Sequence, residues 1–112
     1  MTAPKPRRPI RGSATGRPIM ALLDLLGRRW TLRIGWELRD GSAFSFRELQ
    51  SRCDSMSASV LAERLAELRE AQIVELAEAG YKLTELGQEL VEALIPLDAW
   101  ARRWARRAAP TR

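Results

Sequence analysis

The residue types that do covalent or acid–base chemistry are sparse in this chain. It has no histidine, one cysteine (Cys53) and 14 aspartates and glutamates. Without histidine the commonest general base, metal ligand and pH switch are all missing. Neither a Ser-His-Asp nor a Cys-His nucleophile system can be assembled within one chain. A zinc site would have to combine Cys53 with three carboxylates, which is a poor donor set. No spacing of carboxylates suggests chemistry of their own. These observations point to a protein that is not an enzyme and holds no cofactor or metal. One thiol can form no intrachain disulfide, which fits a reducing, cytoplasmic setting. No apolar run approaches the ~20 residues needed to cross a bilayer. The basic N-terminus lacks the apolar segment of a secretory signal, so no membrane partner is expected.

What remains is the chemistry of binding. Arg47, Arg52, Ser55, Ser57, Ala58, Ser59, Ala62, Glu63 and Arg64 lie within eighteen consecutive positions, with Lys82 further on. Arginines neutralise phosphates. Serine hydroxyls donate or accept at phosphates and base edges, and alanines let a backbone come close. Glu63 could accept from a cytosine amino group or simply repel phosphate. Taken singly, each of these residues has a duller explanation, because serines at a helix start are usually caps and arginines are usually solvated or ion-paired. The overall charge of +5 does not decide the matter. Ten of the 19 basic residues lie in 1–18 and 101–112, where there is no acid. The remaining nine face all 14 acids, so the body between is acidic. The argument must come from the elements that place these residues.

Residues 1–16 hold three prolines and two glycines among basic and small residues, and read as a disordered basic arm. A first helix opens at Pro18, with Ile19, Leu22, Leu23 and Leu26 on one face and Gly27 as a left-handed stop. A second runs from about Arg29 to Arg39 with Trp30, Ile34 and Leu38 at four-residue spacing. Ser45 and Glu48 form a capping box for a short third helix, with Phe46 and Leu49 inward. Cys53-Asp54-Ser55-Met56 reads as a turn. Ser57 caps a fourth helix, Ala58 to Ala71, with Val60, Leu61, Leu65 and Leu68 inward. Ile73–Leu76 and Tyr81–Leu83 form a hairpin around Glu78-Ala79-Gly80. Thr84 caps a last helix whose inward side should carry Leu86, Leu90, Val91, Leu94 and Leu97, with Pro96 kinking or dividing it. Two helices joined by a tight turn and followed by a hairpin make a winged helix-turn-helix, mainly α with a small β wing. In that fold the second helix of the pair enters the major groove, so Ser57–Glu63 are the candidate base-reading residues. One domain spans 17–107, and 108–112 read as a disordered tail.

Four stretches resemble the HxlR-type regulators of the MarR superfamily. They are Pro18-Ile19 with Leu23–Leu32, Phe46-Arg47-Glu48-Leu49, Met56–Leu68, and Tyr81–Gly87. The first contains the Gly-x-x-Trp-Thr pattern as Gly27-Arg28-Arg29-Trp30-Thr31. The resemblance implies a cytoplasmic homodimer bound to a pseudo-palindromic operator in double-stranded DNA. It also implies that the first and last helices form the dimer interface, here Ile19, Leu22, Leu23, Leu94, Leu97, Trp100 and Trp104. Trp100 and Trp104 independently extend an apolar stripe beyond what one small core needs.

Two positions depart from the family pattern. Several members sense oxidants through a cysteine just before the first proline, where this chain has Arg17. The wing tip is short and acidic, with Glu78 at the turn and only Lys82 nearby. Arg7, Arg8 and Arg11 could replace it as a minor-groove arm. Two other readings fit the composition: a winged-helix interaction module without specific DNA binding, and a non-specific binder driven by the arginine-rich ends. A small-molecule effector, if one acts, would sit between the dimer helices near Trp30, Trp36, Trp100 and Trp104.

Overall fold

Local capping signals set most of the helix starts. The computed structural model describes residues 16–109, with five helices and one hairpin. Helix α1 covers Pro18–Leu26 and begins with proline at its first position, where a missing N–H costs nothing. Helix α2 covers Thr31–Glu37, and α3 covers Phe46–Arg52. Helix α4 covers Ala58–Glu70. Strands β1 (Val74–Ala77) and β2 (Gly80–Leu83) pair antiparallel, with Val74 opposite Leu83 and Glu75 opposite Lys82. Helix α5, Glu85–Ala108, is the longest at 24 residues. Of the expected basic arm only Gly16 is described. Of the expected tail 108–112, Ala108 closes α5 and Ala109 caps it, while 110–112 lie outside the described residues.

The core gathers one stripe from each element. Ile34 from α2 and Leu38 just after it, Leu49 from α3, and Leu61, Leu65 and Leu68 from α4 are almost wholly shielded from water. Val74 and Leu83 join from the hairpin and Val91 from α5. Burying each such side chain contributes about 1.5–3 kcal/mol relative to leaving it in water.

Thr84 joins the hairpin to α5. Its hydroxyl accepts from the Gly87 amide at 2.9 Å and donates to the Gln72 carbonyl at 2.6 Å. Gly87 is needed beside it, because a Cβ there would lie 2.1 Å from the Ile73 carbonyl oxygen. The hairpin is tied to the segment before α3 by two backbone hydrogen bonds between Phe44 and Tyr81, each amide donating to the other's carbonyl at 2.9 and 2.8 Å.

Some of these expectations need correction. Gly27 ends α1 in the right-handed region, and the left-handed residue of the junction is Trp30, at φ 78°. Helix α2 therefore starts at Thr31, two residues later than the spacing suggested, because its first turn is spent reversing the chain after α1. Leu86 and Leu97 do not point inward: both are exposed, and α5 buries only Gly87 and Val91. On α1 the residue that enters the core is Leu25, while Ile19 and Leu23 stand in solvent. Pro96 does not divide α5, which runs unbroken past it. Both Pro96 and Glu92 are exposed, so water can reach the carbonyl that lacks an amide partner.

Candidate nucleic-acid interface

The α3–turn–α4 unit is built by side-chain caps and a double left-handed turn. Ser45 Oγ accepts from the Glu48 amide at 3.1 Å, and Glu48 Oε1 accepts from the Ser45 amide at 3.0 Å. The Ser45 amide holds the Glu48 carboxyl below its ordinary range. Between the helices, Asp54 and Ser55 adopt φ of 58° and 55°, a conformation tolerated by short polar side chains. Gln50 braces this turn: its carbonyl accepts from the Ser55 amide at 2.9 Å, and its side-chain amide donates to the Met56 carbonyl at 2.9 Å. Cys53 and Met56 anchor the turn in the core.

Helix α4 divides its residues cleanly. Leu61, Leu65 and Leu68 are buried, and Val60 packs against them. Ser57, Ala58, Ser59, Ala62 and Glu63 are all exposed on the other side, as are Arg47 and Ser55 nearby. Ser57 Oγ accepts from the Val60 amide at 3.4 Å and lies 2.9 Å from Ser59 Oγ. The first turn of α4 holds no acidic residue, so its positive dipole end is free to meet an anion. The structure thus brings the expected serines and alanines together on one open face.

The cations divide in a way that the sequence did not show. Arg47 is exposed and makes no ion pair among the described residues. Arg52 lies 4.1 Å over the Phe44 ring and 3.7 Å from Glu37, yet half of its side chain stays open to solvent. Arg64 turns away from the open face. Its Nε donates to the Arg29 carbonyl at 2.9 Å and its Nη1 to Glu67 at 3.0 Å, with only 16% of the side chain exposed. Glu67 also pairs with Arg28. Arg64 therefore fastens α4 to the α1–α2 junction, and its expected place among the phosphate contacts is corrected. Lys82 is half-buried opposite Glu75.

Arg33 is a positioning residue that the sequence reading missed. It pairs with Glu37 at 3.1 Å, reaches Asp54 at 3.4 Å, and donates to the Arg52 carbonyl at 2.7 Å. Its four-residue spacing from Glu37 was visible, but the contacts to the turn join residues about twenty positions apart. Cys53 is fully buried, and burial pushes its thiol pKa up, partly offset by the Arg33 charge. A buried, protonated thiol is a poor nucleophile.

The expected dimer residues form a separate surface. Ile19, Leu23, Leu97, Trp100 and Trp104 each keep more than half of their area open, while Leu22 and Leu94 are half-buried. Trp100 and Trp104 stack with centroids 6.2 Å apart and planes 8° from parallel. Trp30 and Trp36, by contrast, pack against the core. No helix of the described residues is long and apolar enough to cross a membrane.

Comparison with known proteins agrees with this geometry. The profile of the HxlR-like helix-turn-helix family matches residues 25–109. The chain is 39% identical over 85 residues to the HTH-type transcriptional regulator YodB of Bacillus subtilis, covering 70% of this chain and 75% of YodB. It is 32% identical over 89 residues to the uncharacterized HTH-type transcriptional regulator YvaP of the same organism, covering 73% and 82%. The crystal structure of quinone-bound YodB superimposes with a TM-score of 0.71 at 35% identity, over 76% of this chain and 96% of that one.

Proposed function

This chain belongs to the HxlR-like helix-turn-helix family of transcriptional regulators, a DNA-binding and non-enzymatic family, and from that premise we propose that it acts in the cytoplasm as a homodimer on a pseudo-palindromic operator. The observation that carries the reading is the open face of α4. Its first two turns present hydroxyls and methyl groups, with Glu63 as the one acid at their end. Such a face can approach base edges closely while its helix N-terminus meets phosphate. Ser57, Ala58, Ser59, Ala62 and Glu63 read bases, Ser55 and Arg47 hold the backbone, and Arg52 joins them through its exposed half. Lys82 contributes at the adjacent backbone. Arg64 acts through its grip on Arg29 and Glu67, which sets the height of α4. Two-fold pairing places the two α4 helices about 34 Å apart, one turn of DNA.

Regulation by a small molecule is the finer part of the proposal. YodB has been crystallised with a quinone bound, which supports an effector of small, planar chemistry. Because Cys53 is buried, the effector binds this chain without a thiol adduct there, against tryptophans at the dimer helices.

Selection of bound duplexes from a random library at near-physiological salt tests the reading, with wild type beside Ser59→Glu. An enriched inverted repeat that disappears in the variant is the expected result. Binding without enrichment, unchanged by Ser59→Glu, would overturn it and assign the binding to the arginine-rich ends.

A further inference from the structure

The open face of α4 has two flanks, and they differ in chemistry. Ala58 and Ala62 stand four residues apart on one flank, and Ser59 and Glu63 four apart on the other. All four are exposed. One flank therefore offers only methyl groups, and the other a hydroxyl and a carboxylate. No arginine, lysine, asparagine or glutamine stands on the open side of these first two turns. Arg69, the next cation on that side, belongs to the last turn, beyond the N-terminal residues that enter a groove. Arg47 and Arg52 belong to α3, the helix that crosses the DNA backbone in this fold.

Glu63 is not a bare charge. Its Oε1 lies 3.4 Å from Arg64 Nη1, while 63% of the side chain stays open. Arg64 is itself held, by Nε on the Arg29 carbonyl at 2.9 Å and by Nη1 on Glu67 at 3.0 Å. Glu67 also pairs with Arg28. Two guanidiniums and two carboxylates thus form a balanced set with Glu63 at its open end. The balance lowers the repulsion that a lone acid would feel from phosphate. The fixed guanidinium also gives the carboxylate a preferred direction.

An ionised carboxylate only accepts hydrogen bonds. In the major groove guanine shows acceptors alone, and thymine an acceptor beside its methyl. Adenine shows an amino group next to the N7 acceptor, whose lone pair repels a carboxylate. Cytosine shows an amino group with no acceptor of its own beside it. We infer that α4 selects cytosine through Glu63, aimed by Arg64, and thymine through the methyl flank of Ala58 and Ala62, and that it does not read guanine. The inference rests on the operator-binding reading of α4 and adds which bases that helix takes. Ser59 lies 2.9 Å from Ser57 Oγ and either hydroxyl could donate, so Ser59 holds the base it meets without choosing it.

The test starts from the inverted repeat that the full-length wild type selects from a random duplex library. Glu63→Gln replaces the carboxylate with an amide that matches adenine's amino group and N7 together, at an exposed position where folding is spared. Repeating the selection with this variant should move one position of each half-site from cytosine to adenine, by about tenfold in preference, and leave the others as they were. On the wild-type repeat, N4-methylcytosine at that position carries its methyl on the groove side of the amino group and should weaken binding about tenfold. In the same pair, 7-deazaguanine lacks N7 and should bind as guanine does. Deoxyuridine in place of a contacted thymine should cost about fourfold per methyl lost, and indifference to every such replacement would overturn the methyl flank. Glu63→Ala should lose the cytosine preference at that one position. If it instead binds every sequence more tightly with unchanged preferences, Glu63 merely repels phosphate and the inference is overturned. A tenfold loss with 7-deazaguanine would overturn the exclusion of guanine. In each of these cases the inverted repeat survives, and with it the operator reading. A library that yields no repeat would overturn both.

Discussion

Helices α4 and α5 are both amphipathic, and they dispose of their apolar residues in opposite ways. In α4 the large side chains Leu61, Leu65 and Leu68 all go into the core, and the outward face of its first two turns is left with serine, alanine and one glutamate. In α5 the core takes only Gly87 and Val91, and the outward face keeps leucines and two tryptophans. Burial therefore does not rank these helices by importance. It shows which kind of surface each was left to offer. A face of hydroxyls and methyls is cheap to hydrate and can be brought against a polar groove. A face of stacked indoles is costly to leave in water and calls for an apolar partner.

The contrast can be broken by trading what each helix buries. Leu65→Ala should cost about 4 kcal/mol of protomer stability, since a fully packed side chain leaves a cavity. Leu97→Ala, measured in dilute monomer, should cost under about 0.5 kcal/mol. Equal losses in urea titrations would mean that α5 is not open in solution. Gly87→Ala comes next, at about 3 kcal/mol, because the new methyl must displace the Ile73 carbonyl where α5 meets the hairpin. Calorimetry would read this as a lowered midpoint. Trp104→Ala sharpens the other side. It should weaken the dimer about thirtyfold, as loss of a central aromatic does, and leave the melting of dilute monomer unchanged.

The smallest expected effect concerns Cys53, on the buried side of the comparison. The native protein should resist thiol labelling at neutral pH and react only after unfolding. Folding raises the pKa of this thiol, so the native state holds the proton to higher pH than the unfolded chain does. Stability from this source is complete below the ordinary thiol range and declines as pH rises through and above it. Cys53→Ala should flatten that alkaline decline in thermal melts. Rapid labelling of the folded protein would show that the α3–α4 turn opens.

Much of this arrangement was legible because its signals are local. The Ser45–Glu48 box, the Ser57 cap and the Thr84 cap each act within three residues, and all three appear as expected. Directions that depend on distant partners were not legible. Arg64 has the residue type and spacing of a phosphate contact. It points elsewhere because Glu67 and the Arg29 carbonyl are there to receive it. The left-handed residue between α1 and α2 was assigned to Gly27 by its type, yet the chain places Trp30 in that strained region, where its indole packs against the core. Leu86 and Leu97 share a helical pattern with core residues. Only the placement of α2 and the hairpin decides which of two adjacent stripes is covered.

The bond pair between Phe44 and Tyr81 has a consequence for how the protein behaves when crowded. It closes the outer edge of β2, so the hairpin has one strand edge left to offer, that of β1. Leu76 sits there half exposed, between Glu75 and the turn acid Glu78. An open edge with an apolar side chain is a template for end-on sheet growth, and charge beside it is the usual deterrent. The acidity of Glu75 and Glu78 beside β1 is thus a protection against fibre formation. Neutralising Glu75 and Glu78 to strengthen DNA contact would expose the chain to aggregation along β1.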